Sequence, residues 1–172
     1  MLQKKRITTP KLVYTAMLSA LYAVLNYLSP EAAVLRLSAF CFLPVAVGGM
    51  LMGPFYGAAI AGLGDLIACL LKGYLPDPRL SLIALATGAW YGWVLHGRTF
   101  SWKLVLCSVL PIFVVLEMGL STWVLSDLFH QPFAAVFMER LWSNLIELPI
   151  KAALLMLMIP AINRVPKSIL KL

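Results

Sequence analysis

Charge is what this chain has least of, and the charge it does carry is unevenly placed. Only 12% of its 172 residues are charged and just seven are acidic, while 62% are hydrophobic and the mean hydropathy is +0.90. A soluble domain of this size needs far more polar surface, so the composition specifies an integral membrane protein. No stretch between the apolar runs is long enough to build a separate soluble domain. The three cysteines, Cys41, Cys69 and Cys107, each stand alone in an apolar run, and His96 and His130 are equally isolated. That spacing excludes a zinc site or a redox pair. The chain contains no phosphate-binding Gly-x-x-x-x-Gly-Lys-Ser/Thr loop, no Gly-x-Ser-x-Gly nucleophile turn and no His-Glu-x-x-His motif, so it cannot hydrolyse ATP itself. No internal repeat is evident, and the length is short for a complete secondary transporter.

The apolar segments are divided by charges and turn residues. A transmembrane helix takes about 20 residues, so six fit with about 50 left for loops. The reading is one all-α domain over residues 1–172, with six spans. They run from Leu12 to Leu28, from Leu37 to the break at Gly53-Pro54, from Pro54 to Leu71, from Leu80 to Leu95, from Leu104 to Ser126 and from Phe137 to Ile162. With the N-terminus in the cytoplasm, nine of the 14 basic residues fall on cytoplasmic segments: Lys4, Lys5, Arg6, Lys11, Arg98, Lys103, Arg164, Lys167 and Lys171. All the acids fall elsewhere. Both termini are therefore expected inside, and the net charge of +7 reflects topology, not nucleic-acid binding. The basic start followed by an apolar run could imitate a signal peptide, but five further apolar segments favour an uncleaved first helix.

Small residues recur at helical spacing. Ala16, Ala20 and Ala23 lie on helix 1, Gly53, Gly57, Ala61, Gly64 and Ala68 on helix 3, and Ala84, Gly88 and Gly92 on helix 4. Such stripes let backbones approach closely, within the chain or against a partner subunit. Helix 6 carries Arg140, Asn144, Glu147 and Lys151 on one face spanning about 16 Å. At about 2.5 kcal/mol or more per charge at mid-bilayer, that face must line a polar cavity or pair internally. Glu147 and Lys151 are expected to pair, while Arg140 and Asn144 lie nearer the outer end, where a ligand arrives. Pro149 removes a backbone donor in the same stretch and is expected to kink the helix. Glu117 and Ser121 share a face of helix 5 on α-helical geometry, with Thr122, Trp123, Ser126 and Asp127 completing its outer end. Asp65 sits among glycines. Tyr27, Phe40, Tyr74 and Phe133 are placed near the outer surface, with Trp90 and Tyr91 deeper.

These features resemble a known family, the substrate-binding (S) components of energy-coupling factor (ECF) vitamin transporters. Ala16-Met-Leu-Ser-Ala20 is similar to the Ala-x-x-x-Ala signature by which those subunits dock on a shared coupling subunit. Gly53-Pro54-Phe-Tyr-Gly57, followed by Gly62 and Asp65, is similar to the junction between the second and third helices of many members. Within the family the chain looks most like the folate-specific branch. Thr122, Trp123 and Leu125 match its helix 5 loosely, Arg140 and Pro149 match its helix 6 in spacing, and Leu80-Ser81 with Gly88-Ala-Trp-Tyr91-Gly92 match its third outer loop and fourth helix. Departures are Pro76-Asp77-Pro78 in place of a Pro-Gly turn, a tryptophan one place early, and Ser143 where a basic residue is expected.

The resemblance implies a multi-pass cell-membrane protein, not an enzyme. It would bind a vitamin from outside and deliver it through the coupling subunit and two cytoplasmic ATPases, toppling in the membrane as it does so. No cofactor or metal is implied. For folate, the ring would stack on an aromatic such as Trp90 and bond to Asn144, Ser121 or Thr122, while its carboxylates would face Arg36, Arg79 or Arg140. Ala16, Ala20 and Ala23 would form the docking stripe. Alternatives are an S component for another vitamin or a nucleobase-like compound, such as pantothenate or a queuosine precursor, or a small intramembrane enzyme using Asp65, Glu117, Glu147 and Lys151.

Overall fold

A computed structural model describes residues 9–29, 38–73, 75–98 and 101–163. Those residues form six helices and no strand: α1 (Thr9–Leu28), α2 (Ser38–Met52), α3 (Pro54–Leu71), α4 (Pro78–Leu95), α5 (Trp102–Leu128) and α6 (Phe133–Asn163). Each of the six expected helices is present, with its ends within a few residues of the reading from sequence. Four described helices, α1, α3, α5 and α6, are long and apolar enough to cross a membrane, and α2 contributes a shorter apolar stretch, Phe40–Met52. The basic residues at positions 4–6, 36, 164, 167 and 171 lie outside the described residues, as does Tyr74.

The junctions are written in local chemistry. Gly53 adopts φ 98°, a left-handed conformation that a side chain would strain, and so turns α2 into α3 within one residue. Pro54 then fills the first helical position, where its missing N–H costs nothing. At the start of α4 the Asp77 carboxylate caps the helix, accepting from the Arg79 N–H at 2.8 Å. Hydrogen bonds from the Arg79 guanidinium and backbone hold that carboxyl below its usual range. His130 (φ 51°) reverses the chain after α5, where the Gln131 N–H donates to the Ser126 carbonyl and the Ser126 hydroxyl to the Gln131 carbonyl.

The small-residue stripes pack within the chain. α3 and α4 share the most extensive interface. A methyl group at Gly57 would lie 2.5 Å from the Gly88 carbonyl oxygen, and one at Gly49 would lie 2.8 Å from the Gly92 nitrogen. Backbone therefore meets backbone where α4 crosses α2 and α3. α1 lies against α3 by the same device, with Gly64 facing Tyr22 and the Ser19 carbonyl. α5 and α6 pack on each other and join this block through α4 and α2. Large apolar side chains such as Leu12, Met17, Phe55, Leu70, Trp142 and Leu157 point outward, as a lipid-facing surface requires.

α5 departs from the expected geometry. Pro111 has no N–H to give, and residues Ile112–Ser121 follow in π-helical geometry. The wider turns bring Thr122, five residues on, into line with Glu117, and the Thr122 hydroxyl donates to the Glu117 carbonyl at 3.2 Å. Thr122 is buried and Ser121 half-exposed, so the expected pairing of Glu117 with Ser121 on one α-helical face is replaced.

Candidate functional site

A cavity of about 640 Å³, open on one side, is lined by residues from all six helices. That volume lies in the range of small-molecule sites. Its lining comes from the last two turns of α1 (Tyr22, Asn26), the first two of α2 (Phe42, Val45), the middle of α4 (Thr87, Tyr91) and the paired lengths of α5 and α6. Ser29, Lys72, Phe129 and Gln131, which flank the helix ends opposite Thr9 and Asn163, also line it. The chamber therefore occupies the half of the bundle remote from the described chain ends.

The charged face of α6 looks into this chamber. Arg140, Asn144, Glu147 and Lys151 all line it, and the last three are buried. The pairing of Glu147 with Lys151 is present at 3.2 Å, and the Lys151 ammonium also donates to Glu117 Oε1 at 2.7 Å. The π-helical stretch carries Glu117 to that point. Two carboxylates thus share one ammonium where the side chain of Lys151 is 9% exposed. A buried charge of this kind persists only with partners at hydrogen-bond distance. One helical turn or more toward the mouth, the Asn144 amide donates to Met118 Sδ at 3.4 Å. Lys72, at the end of α3, donates to Asn26 Oδ1 at 2.9 Å and ties α1 to the rim.

The residues expected to contact ligand are not all brought together. Arg140 and Asn144 line the chamber. Thr122 is fully buried with its hydroxyl on the Glu117 carbonyl, and neither it nor Ser121 is among the lining residues. Trp90 faces α5, where its indole N–H donates to the Cys107 carbonyl at 3.2 Å. That carbonyl is the one whose helical donor Pro111 cannot supply, so Trp90 fastens α4 to α5 and its ring packs on Trp93. Arg79 is half-exposed and salt-bridged to Asp127 at 2.7 Å and Asp77 at 3.3 Å, joining the start of α4 to the end of α5. Arg36 lies outside the described residues. On α1, Ala16 and Ala20 are exposed, whereas Ala23 is 1% exposed and belongs to the inward stripe with Thr15 and Ser19. Asp65 accepts from the Ser81 hydroxyl at 3.1 Å and does not line the chamber, so it is separate from Glu117 and Glu147. No group of three or more metal-ligating side chains occurs among the described residues.

The polar lining residues that sequence reading did not single out include Tyr22, Asn26, Thr87, Gln131 and Glu139. Tyr22 and Asn26 were legible in principle, since they extend the polar stripe Thr15-Ser19 by one and two turns along α1.

A bundle of apolar helices around a ligand-sized chamber with charged walls defines a multi-pass membrane protein that binds a small molecule. Residues 10–159 match the family described as the substrate-specific component of ECF transporters, and the chain belongs to that family. The family is one of substrate-binding transport components. A curated relative, the folate transporter FolT of Clostridium novyi (strain NT), is 30% identical over 145 residues, which span 82% of this chain and 83% of the relative. A crystal structure of FolT bound with folic acid has the same fold, with a TM-score of 0.79 at 24% identity, over 94% of this chain and 96% of that one.

Proposed function

We propose that this chain is the folate-binding subunit of an ECF-type ABC importer. The observation that carries the reading is the chamber of about 640 Å³, in which aromatic walls from Phe42, Tyr91 and Phe129 stand beside the cations Lys72 and Arg140. Folate has the matching parts: a flat hydrogen-bonding ring and two carboxylates. Similarity to a curated folate transporter supports the choice among vitamins. In the topology that goes with this function, all six helices cross the cell membrane, both termini are cytoplasmic and the chamber opens outward. Release into the cell requires partners, namely a transmembrane coupling subunit and two ATPases. The exposed Ala16 and Ala20 offer the coupling subunit a smooth face on α1.

The test is calorimetric titration of folate, 5-formyltetrahydrofolate, pantothenate and thiamine into the purified chain. Tight binding of the folates without ATP is the expected result. Binding of pantothenate or another compound, with none of the folates, would keep the transport role and sink the folate assignment.

A further inference from the structure

α4 supplies hydrogen-bond donors that prolines on its neighbours cannot. In an α-helix the N–H of residue 111 would donate to the Cys107 carbonyl, and Pro111 has no N–H. The Trp90 indole N–H donates to that carbonyl instead, at 3.2 Å. The same relation recurs against α2, where His96 Nδ1 donates at 3.0 Å to the Met50 carbonyl, four residues before Pro54. Cys107 is exposed, and Leu106 and Leu110 beside it face outward. On the lipid side of a helix no water takes up a bare carbonyl, so a protein donor is required there.

What Trp90 holds is the point from which α5 widens. Residues Ile112–Ser121 follow Pro111 directly in π-helical geometry, where each bond closes over five residues and a turn takes more residues than in an α-helix. The direction in which a side chain leaves such a segment depends on where the wide turns begin. Glu117 lies six residues beyond Pro111, and this geometry sets its carboxylate 2.7 Å from the Lys151 ammonium on the chamber wall. The wide stretch is fastened on both sides. Lys151 and the Thr122 hydroxyl hold it at Glu117, and Trp90 holds the turn before it. Trp90 is itself fixed, because it stands between Gly88 and Gly92, where the backbone of α4 meets those of α3 and α2, and its ring packs on Trp93.

We infer that Trp90 is a positioning residue of the chamber: its indole N–H, anchored on α4, takes the carbonyl left open by Pro111 and so sets the register of the α5 wall that carries Glu117. In this role Trp90 acts through α5 and does not touch the ligand, which accounts for an indole N–H spent on the backbone of α5 by a residue that does not line the chamber. The affinity readout rests on the folate reading, whereas the hydrogen bond and its hold on α5 do not.

The experiment is a cycle on the full-length chain: wild type, Trp90→Phe, Pro111→Ala and the double variant, each titrated calorimetrically with folate and each melted without ligand. Trp90→Phe removes the donor and keeps an aromatic ring, and is expected to weaken folate about tenfold. Pro111→Ala gives the Cys107 carbonyl a helical donor. In that background Trp90→Phe should cost less than about threefold, and the ligand-free melting midpoints should show the same rescue. A tryptophan that only filled space would not be rescued, because Pro111→Ala returns a donor and no ring. Binding by Trp90→Phe within about threefold of wild type, or an equal loss in both backgrounds, overturns the assignment. Where a variant does not fold, the wild-type indole N–H signals decide. The signal unaffected by replacing each of the exposed Trp93, Trp102, Trp123 and Trp142 should exchange with deuterium far more slowly than theirs, and equal exchange overturns the assignment. If wild type binds no folate, the folate reading falls, and the melting cycle still tests Trp90.

Discussion

Arg140 and Lys151 sit on one face of α6 yet call for different experiments. Arg140 lines the chamber toward its mouth, where a direct bond to a ligand carboxylate would be worth about 1.5 to 3 kcal/mol. Arg140→Ala should therefore weaken folate binding by about 10- to 150-fold in a calorimetric titration. Arg140→Lys should recover only part of the loss, because lysine keeps the charge without the planar fork. A residue that served folding alone would lower the melting temperature and leave the affinity of surviving molecules unchanged. Lys151 is bound to Glu117 and Glu147. Lys151→Met would leave two carboxylates buried against each other, and breaking a buried pair in this way costs about 3 to 5 kcal/mol. Its thermal unfolding midpoint in detergent should fall sharply with or without ligand. At this scale much was legible. Four side chains at spacings of four, three and four had to face away from lipid, and they do. Trp90 and Thr122, both expected from sequence to contact ligand, each donate to a backbone carbonyl, that of Cys107 and that of Glu117. Composition carries no trace of that accounting.

Helices differ in what a methyl group does to them. Gly88 lies against the Gly57 carbonyl across the α3–α4 crossing, whereas a methyl at Gly119 would meet only the Val114 carbonyl, at 3.5 Å. Gly88→Ala should separate α3 from α4 and reduce the yield of folded protein in size-exclusion chromatography. Gly119→Ala should be neutral or slightly stabilising, since alanine loses less backbone freedom in a helix. Equal damage from both would mean that the close crossing is not what holds α3 to α4. The extents of the six helices were readable because charges and turn residues bracket each apolar run. The π-helical stretch of α5 was not readable, because its residues Ile112–Ser121 are nearly all apolar and leave no polar face whose period could reveal the wider turn. That one change of geometry decides which residues of α5 accompany Glu117.

For the whole molecule, orientation and assembly are tested by labelling and by bulk placed on α1. In intact cells, and in a background lacking the native cysteines, a cysteine at position 5 or 168 should be protected from an impermeant thiol reagent, and Asp77→Cys should react. The opposite pattern would invert the proposed topology. Assembly gives a sharper contrast on α1. Ala16→Trp and Ala20→Trp place bulk on an exposed face, so folate binding by the isolated chain should persist while uptake with the coupling subunit is lost. Ala23→Trp places the same bulk at a position 1% exposed and should prevent folding altogether. Normal transport by the first two variants would assign that face to lipid.

The chamber is walled by all six helices, which bears on how the protein is to be handled. A molecule bound there would touch the α1–α4 block and the α5–α6 hairpin at once, and so act as a cross-brace between two substructures that, among the described residues, meet mainly through α4 and α2. By mass action, ligand at 100 times its dissociation constant adds about 2.7 kcal/mol to the folded state. On the proposed function, cargo therefore contributes to the stability of its own carrier, and the loaded subunit should melt higher than the empty one.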